Sequence, residues 1–309
     1  LVVGDLVADR YIFGRTDRIS REAPVLIVRH EREEVRLGGA ANAAWNLAAL
    51  GAQVTALGVL GDDDMGTALD RLCSQSGIVL DAVRDPSLRT ECKTRILAGG
   101  VNTSRQQMLR LDQGQEGELP SSIRSQLAER LNALAAQHDA VLISDYGAGV
   151  LARESIAAAC ECAKQRPVTV DSRYQMAAFI GVTVAKPNEP ELGTATGLPI
   201  GDATLVERAA RALRKQLSAE AVLVTRGREG MVLVTPRGSD RIAPHGPRDA
   251  VDVTGAGDTV IATFTIGLAV GASMAAAARL ANVAGGLVVQ KPGTATVDLD
   301  ELGRAMQAH

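Results

Sequence analysis

The stretch DVTGAGDTVIATF, residues 252–264, decides how the chain is read. Three small residues, Gly255, Ala256 and Gly257, precede Asp258, and a mostly apolar run follows. Backbone amides in such a turn are unobstructed, and with the first turn of a helix behind them they can converge on an anion. The design differs from a GxxxxGK[ST] loop, which needs a lysine after its last glycine. A carboxylate at a helix start is stabilised, so Asp258 is expected to be ionised at pH 7. If the anion is a transferring phosphoryl group, Asp258 can accept the proton of an attacking hydroxyl, commonly worth about 10²–10⁴-fold. The amides would steady charge on the phosphorus oxygens, at roughly 3–4 kcal/mol for one well-aimed donor. The bland reading is a tight turn with Asp258 as a helix cap, and the pattern alone leaves both open.

Outward from this stretch, strands and helices alternate. From residue 120 onward, helical segments such as IRSQLAERLNALAAQ (123–137), ARESIAAACECAKQ (152–165) and DATLVERAARALRKQL (202–217) are interleaved with the strands AVLISD (140–145), VTVD (168–171), VTVAKPN (182–188), AVLVT (221–225) and GMVLVTP (230–236). That alternation indicates an α/β fold with a largely parallel sheet. The strands exit at Asp145, Asp171, Asn188 and Thr225, the edge where open α/β sheets bind ligands. Earlier, AANAAWNLAALG (40–51) reads as a helix ended by Gly51, VTALGVLG (54–61) as a strand, and DDDMGTALDRLCSQSG (62–77) as a helix with acidic residues at its positive end. The segment 11–39 mixes β-prone runs with many charges and reads as exposed strands. ECKTRILA (91–98) and QQMLRLD (106–112), joined by a loop around GGVNTS (99–104), read as antiparallel partners for it.

The 309 residues suit one large domain, with or without a small appendage. A net charge of −3 and 2% aromatic residues give no support to nucleic-acid or acidic-membrane binding. Cys73, Cys92, Cys160 and Cys162 have no zinc spacing and read as reduced, partly buried thiols. No stretch reads as a signal peptide or a membrane span, although the sequence starts at Leu1 and not at Met.

The residues carry a resemblance. DVTGAGDTVIATF resembles the C-terminal signature of the ribokinase-like (PfkB) sugar kinases, and RLGGAANAAWNLAALGAQVTALGVLGDDDMG (36–66) resembles their N-terminal one. Within that family the chain is most similar to the D-glycero-β-D-manno-heptose-7-phosphate 1-kinases of bacterial ADP-heptose synthesis. GDLVADRYIFG (4–14), DRISREAPV (17–25), KTRILA (93–98), SDYGAGVL (144–151) and KPNEPE (186–191) carry that similarity, although those kinases typically have proline where this chain has Arg21. The resemblance implies a ribokinase-like three-layer α/β fold over residues 1–309, with a mostly parallel central sheet. A small β-sheet lid would be built from segments near 11–37 and 90–112. It implies a cytoplasmic enzyme using ATP and magnesium, and in some members potassium, on a sugar or sugar phosphate. It also implies pairing of two copies through the lid.

Residue by residue, the resemblance makes Asp258 the base and Gly255, Ala256 and Gly257 the anion hole. Asn188 and Glu191 form its NxxE pattern, with Glu191 acting on magnesium through water. Taken alone, NxxE is equally a helix cap. Thr225, Arg226 and Gly227 would lie near the ATP phosphates, and Asn282 beside the base. Asp9, Gly38, Gly39 and Asn42 would hold sugar hydroxyls, and Asp252 is a candidate monovalent-cation ligand. Ala148 and Arg173 stand where the heptose kinases usually carry lysines. Arg173, with Arg105 of the lid, is therefore expected to meet an acceptor phosphate, each also readable as a solvated charge. The alternatives are a kinase for another carbohydrate or a nucleoside, and a silent sugar or nucleotide sensor. The H-x-G-H signature of a nucleotidyl-transferring domain is absent from the 309 residues, so a stand-alone kinase and a portion of a longer enzyme both remain open.

Overall fold

Runs such as AVLISD and AVLVT are apolar at successive positions because both faces of those strands are covered. The computed structural model describes residues 1–100, 105–115, 117–247 and 249–307. The chain begins with β1 (Val2–Gly4), β2 (Leu6–Ile19), β3 (Leu26–Gly39), α1 (Ala40–Ala49), β4 (Val54–Gly61), α2 (Asp64–Gln75) and β5 (Ile78–Asp85). It continues with β6 (Glu91–Gly99), β7 (Gln106–Gln113), α3 (Ser121–Ala135), β8 (Val141–Asp145), α4 (Arg153–Cys162), β9 (Val168–Ser172) and β10 (Val184–Ala185). It closes with α5 (Glu189–Thr196), α6 (Ala203–Leu217), β11 (Ala221–Thr225), β12 (Met231–Thr235), β13 (Gly238–Ile242), α7 (Ala256–Ala269), α8 (Met274–Val288) and α9 (Leu299–Gln307).

The main sheet has the order β13-β12-β11-β10-β9-β8-β1-β4-β5. From β11 to β5 every pairing is parallel, and β12 and β13 add an antiparallel edge. On β11, Val222 and Val224 pack with Val206, Ala209 and Leu213 of α6, whereas Ala221 and Leu223 pack with Phe264 of α7 and Ala277 of α8. On β8, Val141 and Ile143 join Leu127 and Leu131 of α3, while Leu142 joins Ala43 of α1 and Ile261 of α7. The sheet is therefore the middle of three layers, with α3 to α6 on one face and α1, α7 and α8 on the other. The expected α/β layering is what these contacts build.

The second, lid sheet has the order β3-β2-β6-β7. β2 runs antiparallel to β3 and parallel to β6, and β6 runs antiparallel to β7. It starts earlier than residue 11, because Asp5 alone separates β1 from β2. Leu6, Val7 and Ala8 at the start of β2 are buried, and Ile19 at its far end is 63% exposed. The strand changes surroundings along its length, so its apolar start reads as core and only its charged end as lid. Residues 101–104 of the expected GGVNTS loop lie outside the described residues.

Two other differences have local causes. VTVAKPN yields only the two-residue β10, because Pro187 has no amide to donate and Asn188 already caps α5. The edge strand β5 has only a three-residue apolar run, Ile78 to Leu80, which Asp81 ends, and it escapes a periodicity reading. All four cysteines are free. Among the described residues no helix is long and apolar enough to cross a membrane.

The junction of lid and core rests on Gly39, at φ 56°, where a Cβ would come 2.4 Å from the Asp5 carbonyl oxygen. Gly39→Ala is expected to lower unfolding stability by at least about 1–3 kcal/mol, measured by urea titration. An unchanged midpoint would show that the junction relaxes at no cost.

Candidate active site

The carboxyl ends of parallel strands present a row of unpaired backbone groups and side chains to one edge. Here the ends of β8 to β11 open on a cleft of about 410 Å³ lined by Asp145, Asp171, Asn188 and Thr225, the four strand-exit residues. The start of α7 forms another wall, and Val7, Asp9, Lys93, Arg95 and Arg110 of the lid sheet face it.

Asp258 is 3% exposed in the first turn of α7. Asn42 Nδ2 donates to its Oδ2 at 2.7 Å, and the Tyr146 hydroxyl donates to Oδ1 at 3.0 Å. Asn42 is itself steadied, because Asn46 Nδ2 donates to its carbonyl at 2.9 Å and the Thr259 hydroxyl donates to Asn46 Oδ1 at 2.7 Å. Gly255 makes this approach feasible: its φ is 78°, and a Cβ there would lie 2.7 Å from Asn42 Nδ2. Burial first, then the charge of Asp171, push the Asp258 pKa up to about 7, against the Asn42 and Tyr146 donors and Lys186. The expectation of a fully ionised Asp258 is thus corrected. Loss of hydration outweighs the helix dipole, and near pH 7 both protonation states are populated.

Lys186 follows β10 directly, and its Nζ lies 2.9 Å from Asp171 Oδ2, with side chains 4% and 16% exposed. Burial alone would lower its pKa, but Asp171, with Glu191 and Asp258, outweighs it and the net shift is upward. Lys186 therefore remains a cation beside the start of α7. Asn188 and Glu191 form a reciprocal capping box on α5, with both bonds at 2.8 Å. They also line the cleft, so the cap and the site coincide. Burial, then Asp171, raises the Glu191 pKa.

On the lid side, Asp9 pairs with Arg95 at 2.6 Å. A Cβ on Gly38 would lie 2.6 Å from Asp9 Oδ2, and Gly39 lines the cleft. Lys93 Nζ lies 4.8 Å and Arg173 Cζ 4.5 Å from the centre of the Tyr146 ring. Burial, then Arg173, lowers the Lys93 pKa, as expected for two cations sharing one space. Arg105 is elsewhere: it pairs with Glu31 at 2.7 Å on the exposed lid and does not line the cleft. Asn42 spends its side-chain amide on Asp258. Asp252 also lies outside the lining, its oxygens accepting the amides of Thr254 at 2.9 Å and Gly293 at 2.8 Å.

A second, mostly apolar cavity of about 380 Å³ adjoins the first and shares Thr225, Val253 and Gly257 with it. Gly227, Ala256 and Asn282 line it, and Asn282 Nδ2 donates to the Ala243 carbonyl at 2.8 Å. Arg226 is held by Glu189 at 2.7 Å. Ala256 spends its amide inside the turn, on the Val253 carbonyl at 3.3 Å, so the cradle falls chiefly to the following helix-start amides. Gly257 sits where the cavities meet, and a Cβ on it would point at Lys186 Nζ from 3.5 Å. An apolar slot, a helix start and a buried lysine in sequence fit the base and phosphates of a nucleotide. Among the described residues no three His, Cys, Asp or Glu side chains are grouped as metal ligands.

Sequence reasoning marked the strand exits but gave no role to Tyr146, Lys186, Lys93 or Arg95. Lys186 did carry a signal, a charge placed directly at the end of a buried strand. Tyr146 and Lys93 carried none, because their value comes from residues far along the chain.

The chain is 45% identical to the D-beta-D-heptose 7-phosphate kinase of Bordetella bronchiseptica, over 98% of this chain and 94% of that protein. It is 42% identical to the bifunctional protein HldE of Trichlorobacter lovleyi, over 98% of this chain but 61% of that protein, so it spans about three fifths of that longer relative. Among solved structures, phosphofructokinase-2 from Escherichia coli superposes with a TM-score of 0.81 at 20% identity, covering 100% of this chain and 98% of that one. Ribokinase of Arabidopsis thaliana does so at 0.78 and 21%, covering 99% and 97%. At those identities the likeness is one of fold, and the fold is ribokinase-like. A profile of the pfkB family carbohydrate kinases matches residues 1–301, and the chain belongs to that family.

Proposed function

We propose that this chain transfers the γ-phosphoryl group of ATP to O1 of D-glycero-β-D-manno-heptose 7-phosphate. One observation carries the reading: the Asp258 carboxylate and the cations Lys93 and Arg173 line one cleft, joined through Tyr146. A carboxylate base paired with two cations suits an acceptor that has a free hydroxyl and a phosphate. The name of the Bordetella bronchiseptica relative supports the same acceptor.

With magnesium, bound ATP supplies the transferable group and the cation that offsets its charge. Asp258 accepts the proton of the attacking hydroxyl. Lys186 and the helix-start amides set positive potential where the phosphoryl oxygens lie, in a site already shielded from water. Asp9, held by Arg95, accepts hydrogen bonds from sugar hydroxyls, and the lid excludes water as a competing acceptor. Asp252, by tying the Thr254 and Gly293 amides together, shapes the loop that a monovalent cation would complete. The cytoplasm, where ATP is held, is the compartment for this reaction. Two copies pair through the lid, whose edge strand β7 leaves Leu109 and Leu111 57% and 52% exposed.

Asp258→Asn should keep the fold and ligand binding and lose about 10²–10⁴-fold in kcat, measured by coupled ADP release. Near-normal turnover in the folded variant would reject Asp258 as base. Lys93→Met or Arg173→Met should raise KM about 10–100-fold for a phosphorylated acceptor, and change KM for ATP and for unphosphorylated sugars little. Equal losses on phosphorylated and unphosphorylated sugars would remove the phosphate-reading role, and a panel of hexose phosphates and nucleosides would expose another substrate. Leu109→Glu with Leu111→Glu is expected to turn a dimer into a monomer in sedimentation velocity. A wild-type monomer would refute the pairing.

A further inference from the structure

Asp5 is a carboxylate only 1% exposed, outside the chemistry described above. It occupies the corner where the main sheet, the lid and α1 meet. Its amide donates to the Ser144 carbonyl of β8 at 3.1 Å, and its own carbonyl accepts from the Ala40 amide of α1 at 2.9 Å. The backbone has thus fully committed the corner, and the side chain serves another segment. Oδ2 accepts the amides of Tyr146 at 2.7 Å and Ala148 at 3.1 Å, and Oδ1 accepts that of Val150 at 3.4 Å. Asp145 adds a bond from the Gly147 amide at 3.0 Å. Gly147 and Gly149, at φ 84° and 96°, let the chain turn so that alternate amides point inward. A neutral side chain offers one acceptor atom, whereas the carboxylate offers two and so can gather three amides.

The segment gathered in this way carries Tyr146. We propose that Asp5 is a positioning residue for the reaction: by holding the amides of Tyr146, Ala148 and Val150 it fixes the loop that sets the Tyr146 hydroxyl on Asp258. The inference rests on the reading of Asp258 as the base. Asp258 has two side-chain donors, Asn42 from α1 and Tyr146 from this loop. Asp171 at the end of β9 and Lys186 after β10 act on it through space. Tyr146 in turn faces Asp258, Asp171 and Arg173, with Lys93 of β6 over its ring, while Asp5 faces Asp145. Of the groups that govern Asp258, Tyr146 is the one whose placement Asp5 holds directly.

Removing a donor from a carboxylate destabilises its anion, so its pKa rises and activity disappears at a higher pH on the acid side. The test is kcat/KM against pH with ATP and a phosphorylated acceptor. Tyr146→Phe and Asp5→Asn should each move the acid limb upward by about one to two pH units, the equivalent of one hydrogen bond to a charged group. The double variant should move it no further than Tyr146→Phe alone, because Asp5 acts through Tyr146. Ionisation of the acceptor phosphate is common to all variants and cancels. An unmoved limb in folded Tyr146→Phe overturns the proposal, as does a double variant whose shift is the sum of the two. If Asp5→Asn does not fold, Asp5→Glu, which keeps the charge but displaces the two oxygens from the amides, takes its place alone and in the double variant, with the same outcomes. Asp258→Asn separates the two failures: an active variant sinks the base itself, whereas an inert one beside unmoved limbs sinks only the role of Asp5.

Discussion

Asp258 is 3% exposed, and a carboxylate removed from water costs several kcal/mol unless donors replace its hydration. Asn42 and Tyr146 provide that replacement, from α1 and from the loop after β8. They offset burial only in part, and the pKa stays near 7, which suits a base: a carboxylate with an ordinary pKa would hold a proton too weakly to draw it from an alcohol. The architecture around α7 follows from this requirement. α1 must pack against α7 so that Asn42 reaches it, and β8 must end where Tyr146 can turn back.

The same balance recurs along the sheet edge. Lys186 is buried and stays charged because Asp171, Glu191 and Asp258 surround it. Asp9 is buried against Arg95, and Asp5 against three amides. These groups have paired sites of opposite sign within a few ångströms, so each lowers the cost of burying the next. The cluster lies where the parallel strands end and two sheets converge, so side chains from both sheets point at a common space.

β2 leaves the main body through Asp5 and carries Asp9 over the cleft, and β6 brings Lys93 and Arg95 to the same place. The β2–β6 register sets Asp9 opposite Lys93, so a carboxylate and a cation face the cleft side by side. The parallel pairing of β2 with β6 needs a long crossover, which here passes through α1, β4, α2 and β5. The lid therefore cannot be assembled without that part of the core.

Local pattern determined much of this protein from the sequence alone. Unbroken apolar strands alternating with helices specify a covered parallel sheet, and small residues before Asp258 specify a helix start. The strand exits Asp145, Asp171, Asn188 and Thr225 follow from the same pattern, and the cleft contains all four. What needed the tertiary structure was the company each group keeps. Asn42 and Asp258 are 216 positions apart, Tyr146 and Asp258 are 112 apart, and Arg105 pairs with Glu31 away from the cleft. Hydrogen-bond and charge partners at such separations leave no periodicity in the chain. Burial, which raises the Asp258 pKa against the helix dipole, exists only once the layers have closed around it.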